Sequence, residues 1–148
     1  MIRRGNLTIA VSAIMLAGAA LAQAQFGTAA EAKAMLDKAV TAVKADKAKA
    51  LGDFTKGEAG FKDRDLYPFC GGPDGKFTAH PTLAGQSLRD LKDKSGKAFG
   101  EEIYKVAQEG KVAEVAYMFP RPGGTDPVPK SSYVTKIGDQ VCAVGYYK

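Results

Sequence analysis

His80 is the only histidine of the chain, and Pro81 follows it at once. An imidazole carries protons near neutral pH and ligates metals, so its possible partners decide its chemistry. Nucleophilic catalysis lacks those partners: no serine stands in a G-x-S-x-G elbow or an S-x-x-K motif, and there is neither a Walker loop nor a G-x-G-x-x-G. Cys70 and Cys142 are the only cysteines, each within an apolar, strand-like run. In an oxidising compartment such a pair is most simply a disulfide, with two buried thiols as the alternative. An oxidised pair leaves no thiolate for a cysteine–histidine dyad. Asp90 and Asp93 lie in loop-like sequence, where carboxylates are solvated or capping far more often than catalytic. The sequence therefore argues against an enzyme.

Metal chemistry is also poorly supplied. One histidine and two distant cysteines fall short of the three or four ligands of a zinc site. The run Asp90-Leu-Lys-Asp-Lys-Ser-Gly96 faintly resembles a calcium loop, but Lys92 and Lys94 occupy ligand places and no glycine stands sixth. No metal and no cofactor are expected. What remains is recognition of a small molecule. His80, Tyr117, Lys130 and Tyr133, with Arg121 nearby, fall at the ends and crossings of predicted strands. A cation beside tyrosine hydroxyls and an imidazole binds a carboxylate by charge-assisted hydrogen bonds while rings cover its apolar part.

The elements that must position these groups can be read in order. Arg3 and Arg4, the small apolar run Leu7 to Leu21 and the small-x-small ending Ala22-Gln-Ala24 read as a cleaved secretory signal over residues 1–24. The apolar run is shorter than the roughly 20 residues a membrane span needs. Residues 25–148 then form one domain and a periplasmic product is expected. Removing Arg3 and Arg4, and no acid, lowers the formal charge from +5 to +3. That excess attracts small anions but gives weak support for nucleic acid, which is not expected as a partner.

Thr28-Ala-Ala-Glu31 has the spacing of a capping box and predicts a helix start. Leu36, Val40, Val43, Leu51 and Phe54 form one apolar stripe, predicting a single long helix that fades at Gly57 or Gly60. Leu66 to Cys70 and Lys76 to His80, around the turn Gly71 to Gly75, predict a hairpin. Alternation places Phe77 and Ala79 on one face of it and Lys76, Thr78 and His80 on the other. A second helix is predicted from about Lys97 to Glu109. Three strands follow, Val112 to Phe119, Ser131 to Ile137 and Gln140 to Tyr146, the last two joined at Gly138-Asp139. The link Pro120 to Pro129 is too rich in proline and glycine for regular structure. The sum is an α+β domain: a long N-terminal helix on a five-stranded, mostly antiparallel sheet.

The ordered set Asp65-Leu-Tyr-Pro-Phe69, His80-Pro81, Gly85, Leu88-Arg-Asp-Leu-Lys-Asp93, Tyr117-Met-Phe119, Val128-Pro-Lys130, Tyr133 and Gly145-Tyr146 resembles the single Cache domains of bacterial extracytoplasmic sensors. The resemblance spans nearly all of residues 25–148. It implies a PAS-like Cache architecture with a small-molecule pocket on the sheet face opposite the long helix. It also implies ligands among short carboxylates, amines and similar metabolites, with His80, Tyr117, Lys130 and Tyr133 at pocket positions and Lys130 pairing with an anion. Cys70 and Cys142 would fall on neighbouring strands, which makes a bridge reasonable. Family members usually sit between membrane helices of a chemoreceptor or histidine kinase. This sequence closes two residues after Tyr146, so a free-standing domain working with a separate membrane receptor or kinase is expected. The alternative is an interaction protein that docks on a membrane sensor or transporter and keeps only a vestigial pocket.

Overall fold

The computed structural model describes residues 25–148; the expected leader, residues 1–24, lies outside the described residues. Helix α1, Ala29–Ala45, opens on the anticipated capping box: Thr28 accepts from the Glu31 amide, and Glu31 reaches back to the Thr28 amide. The apolar stripe does not run through one helix. Asp46 adopts an extended conformation, ends α1, and caps α2, Lys47–Lys56, by accepting from the Lys49 amide. An aspartate here competes for backbone donors better than it continues a helix, so the long helix is broken into two. Gly57, left-handed at φ +70°, closes α2.

The strands are β1, Pro68–Gly71, β2, Phe77–Ala79, β3, Ala113–Pro120, β4, Pro127–Ile137, and β5, Gln140–Tyr147, with the short helix α3, Phe99–Val106, before β3. They form one antiparallel sheet in the order β2-β1-β5-β4-β3. The β4–β5 hairpin turns on Gly138 and Asp139, and Gly138 takes the positive φ of +60° that a two-residue turn requires. Its register then pairs Lys130 with Tyr147 and Tyr133 with Val144.

Two expectations about the strands need correction. The proline-rich link is shorter than predicted, because Pro120 pairs with Pro127 and Met118 with Pro129, leaving only residues 121–126 irregular. Prolines are tolerated there because the neighbouring strand runs out: Pro129 meets only the last residue, Lys148, whose amide donates to the Pro129 carbonyl, and Pro127 lies beyond it. In β2 the alternation fails. The β1–β2 register slips between Cys70 and Gly71, and Phe77 and Ala79 enter opposite cores. The His80 ring accordingly lies 4.9 Å from Phe77, on the face it was expected to avoid.

Burial divides at the sheet. One face, with Cys70, Cys142 and Val144, packs under Leu36, Ala39 and Phe54 of the two N-terminal helices. The other, with Phe69, Val115, Val134 and Ala143, is covered by Leu88, Phe99 and Ile103. Cys70 and Cys142 are register partners on β1 and β5, their Cα atoms 4.1 Å apart, and they form a disulfide.

Candidate functional site

Strand alternation sets the site. Lys130, Ser132 and Val134 of β4 face away from α1, as do Tyr117 and Phe119 of β3, Gly145 and Tyr147 of β5, Phe69 of β1, and Tyr67 just before β1. Lys130 is buried there, 2% exposed. Its side chain lies across β5, a course that depends on Gly145: a Cβ at that residue would stand 2.3 Å from the Lys130 Cε and 2.4 Å from the Ser132 Oγ. The ammonium therefore reaches over the glycine to β1, where it donates to the Tyr67 Oη at 3.1 Å.

Ring faces surround it. Nζ lies 4.5 Å from the centre of Tyr67, 4.9 Å from Tyr147, 5.1 Å from Phe119 and 5.8 Å from Phe69. These contacts favour the cation. Burial opposes it and lowers the Lys130 pKa to about 7, with the more distant Asp65 carboxylate offsetting part of that drop. Asp65 itself is engaged elsewhere: it accepts from the Gly27 amide at 2.7 Å and lies 3.6 Å from the Arg121 guanidinium. Among the described residues Lys130 forms no ion pair, and only one of its three donors is used.

His80 and Tyr117 complete the wall. His80 Nδ1 accepts from the amides of Thr82 at 3.0 Å and Leu83 at 3.1 Å, so the neutral ring carries its proton on Nε2. Burial, then the nearby Lys130, lowers its pKa to about 4, which keeps the ring neutral above that range. One side of the imidazole thus anchors the loop after Pro81 while the other borders the pocket. Tyr117 stacks on Phe99 at 4.2 Å and shares a 2.8 Å hydrogen bond with Ser132; burial raises its pKa. The space enclosed between Lys130, His80, Tyr117, Tyr67 and their neighbours is about 10 Å³, room for roughly one water.

Of the four expected pocket residues, the structure gathers His80, Tyr117 and Lys130. Tyr133 stands on the other face, stacked on Tyr146 at 5.7 Å beside the helices. Lys130 and Tyr133 are three apart on one strand, and a strand sends such residues to opposite sides. Sequence reasoning missed Tyr67, Tyr147 and Gly145. The signal was available: the Gly138-Asp139 turn fixes Tyr147 opposite Lys130, and an isolated glycine in a strand marks a close approach. The calcium-like loop has another use. Asp93 accepts from Ser95, Lys97 and, across to β3, the Met118 amide, and these bonds, the Ser95 hydroxyl foremost, lower its pKa to about 2.

A five-stranded antiparallel sheet with two N-terminal helices on one face and a short helix on the other is the architecture of Cache sensor domains. The chain belongs to the single Cache domain 2 family, which matches residues 5–145. A methyl-accepting chemotaxis protein of Vibrio parahaemolyticus has a similar structure, with TM-score 0.66 and 27% identity over 80% of this chain and 86% of that one. A periplasmic sensor domain of a chemotaxis protein is similar at TM-score 0.61 and 25% identity, over 78% and 86%. A Cache chemosensory domain described for its carboxylic acid recognition shares the fold at TM-score 0.56 and 23% identity, over 78% and 84%. In sequence, the methyl-accepting chemotaxis protein McpP of Pseudomonas putida is 36% identical over 56 residues, which are 38% of this chain and 10% of that protein. The chain thus spans about a tenth of the length of that relative. Among the described residues no helix is long and apolar enough to cross a membrane.

Proposed function

We propose that the protein is a periplasmic binding domain for a short organic acid, released from its leader over residues 1–24, and that it acts in sensing through a separate membrane receptor or kinase. One observation carries the ligand class. Lys130 is a buried amine held by a tyrosine hydroxyl and four rings, with no carboxylate among the described residues in contact with it. A desolvated cation of this kind gains most from an anion that fills its unused donors, and because the space beside Lys130 is only about 10 Å³, the surrounding side chains must part to admit it. The Nε2 proton of His80 supplies a further donor on the same wall, and Tyr67, Phe119 and Tyr147 supply the apolar cover. The carboxylic acid recognised by the structural relative described above agrees with this chemistry, although that likeness is one of fold.

Isothermal titration calorimetry with acetate, propionate, pyruvate and lactate tests the reading, with ethylamine and acetamide as controls. Binding of at least one acid is expected, and Lys130→Met, which keeps the volume, should weaken it about tenfold or more. The same variant should melt no lower than the parent, because it relieves a desolvated amine. Undiminished affinity in Lys130→Met would remove the lysine from the site.

A further inference from the structure

A second concavity opens beside the Lys130 pocket, at the end of the sheet where β1 begins and β2 and β3 finish. Its volume is about 560 Å³, within the range that holds drug-sized ligands and far above the 10 Å³ beside Lys130. Tyr67, His80 and Phe119 border both spaces and form the wall between them.

The cleft has an apolar floor and a cationic rim. Phe54 and Phe61, in edge contact at 4.6 Å, line the side next to α2, with Leu83 and Phe119 among the other apolar residues. Every ionisable side chain in the rim is basic: Lys56, Lys62, Arg64 and Arg121, with no aspartate or glutamate among the lining residues. Arg64 is held by Glu31 and Asp63. Lys56 and Lys62 are exposed and pair with no acid among the described residues. Arg121 is held by the Asp65 carboxylate at 3.6 Å and lies over the rings of Phe26 and Tyr147. His80 spends Nδ1 on the loop amides, which leaves its Nε2 proton in the wall.

A ligand matched to this cleft carries one negative group for the rim and enough apolar area to cover the aromatic floor. Short acids fail the second condition, since their few methylenes bury little surface. We propose that the cleft is a second binding site, distinct from the Lys130 pocket, for a monocarboxylate with an aromatic or medium-length aliphatic body. The body lies on Leu83 and Phe119, against the edge of Phe61, while the carboxylate faces Lys56 and Lys62, and the one-signed rim draws the anion in.

Calorimetry with 3-phenylpropionate as probe and acetate as reference tests the proposal in the parent protein and three variants. Lys56→Glu combined with Lys62→Glu reverses the rim; Thr55→Trp, on the half-buried cleft side of α2, fills the space; Lys130→Met disables the neighbouring pocket. Both cleft variants should lose about tenfold or more in 3-phenylpropionate affinity, while Lys130→Met keeps it. Acetate should show the reverse pattern. Absence of 3-phenylpropionate binding to the parent overturns the proposal. So does loss of that binding in Lys130→Met, which would make the two spaces one site. Failure of acetate alone counts against the Lys130 reading and leaves the cleft standing.

Discussion

The two faces of the sheet use the same five strands for different ends. Towards the helices, Leu36, Phe54, Leu66 and Val144 pack into an apolar layer that the Cys70–Cys142 bond crosslinks. On the other side, equally buried positions hold Lys130 and His80 among rings. The first face gains stability from nearly every residue it buries. The second keeps an amine and an imidazole away from water, which costs stability, and it keeps a glycine where any larger residue would fill the groove. Burial alone does not separate them; what differs is whether the buried groups have satisfied one another.

The comparison can be broken most forcefully on the helix face. Replacing Cys70 and Cys142 together by alanine releases a constraint across 72 residues and should cost about 4 kcal/mol by the chain-entropy estimate. Denaturant unfolding of the oxidised parent and the variant measures this, and acid affinity in the folded variant should be unchanged. A loss of affinity with little loss of stability would mean that the faces are not separate.

Gly145→Ala probes the pocket face with the next largest effect. Its methyl group would collide with the Lys130 stem, so overpacking should cost about 1–3 kcal/mol and acid binding should weaken along with it. Affinity at the parental level would show that the lysine has another route to the ligand.

pH sharpens the contrast. Burial lowers the Lys130 pKa from 10.5 to about 7, so an acid ligand should bind with constant affinity between about pH 5, near which the carboxylate itself protonates, and about pH 7, and lose roughly tenfold per unit above it. Stability moves the other way. His80 falls from 6.5 to about 4 and Lys130 from 10.5 to about 7, so the unfolded chain binds more protons in both intervals. Unfolding free energy should therefore rise from about pH 4 to 6.5 through His80 and again above about pH 7 through Lys130. Calorimetry and urea titrations at stepped pH measure both slopes, and Lys130→Met should flatten the upper one. The smallest effect belongs to Tyr133→Phe, which should change acid affinity by less than about twofold, as for a residue outside the site. A tenfold loss would return Tyr133 to the ligand.

Much of this arrangement was legible in the residues. The Thr28–Glu31 spacing located the start of α1, and Gly138-Asp139 located the last hairpin. His80, Tyr117 and Lys130 were recognisable as a set. Local chemistry at single residues set the limits. Asp46 interrupts an apolar period that by itself describes one helix, and the register slip at Cys70 reverses the faces of β2. Starting the strand at Ser131 left Lys130 outside it and concealed that it shares β4 with Tyr133, and hence that the two must diverge. The cleft was illegible for a different reason: its lining comes from α2, the loop after β2 and the loop after β3, which only tertiary structure brings together.

The strand order also shapes how the chain finds its fold. β3, β4 and β5 are successive neighbours joined by short connections, so this meander can assemble from local contacts. β1 must then search for β5 across 72 residues, and the two cysteines sit at directly opposed positions of that late pairing. Oxidation converts this slow search into a local one. Refolding from urea should therefore be markedly faster with the bond intact than after reduction, and equal rates would place the β1–β5 closure outside the rate-limiting step.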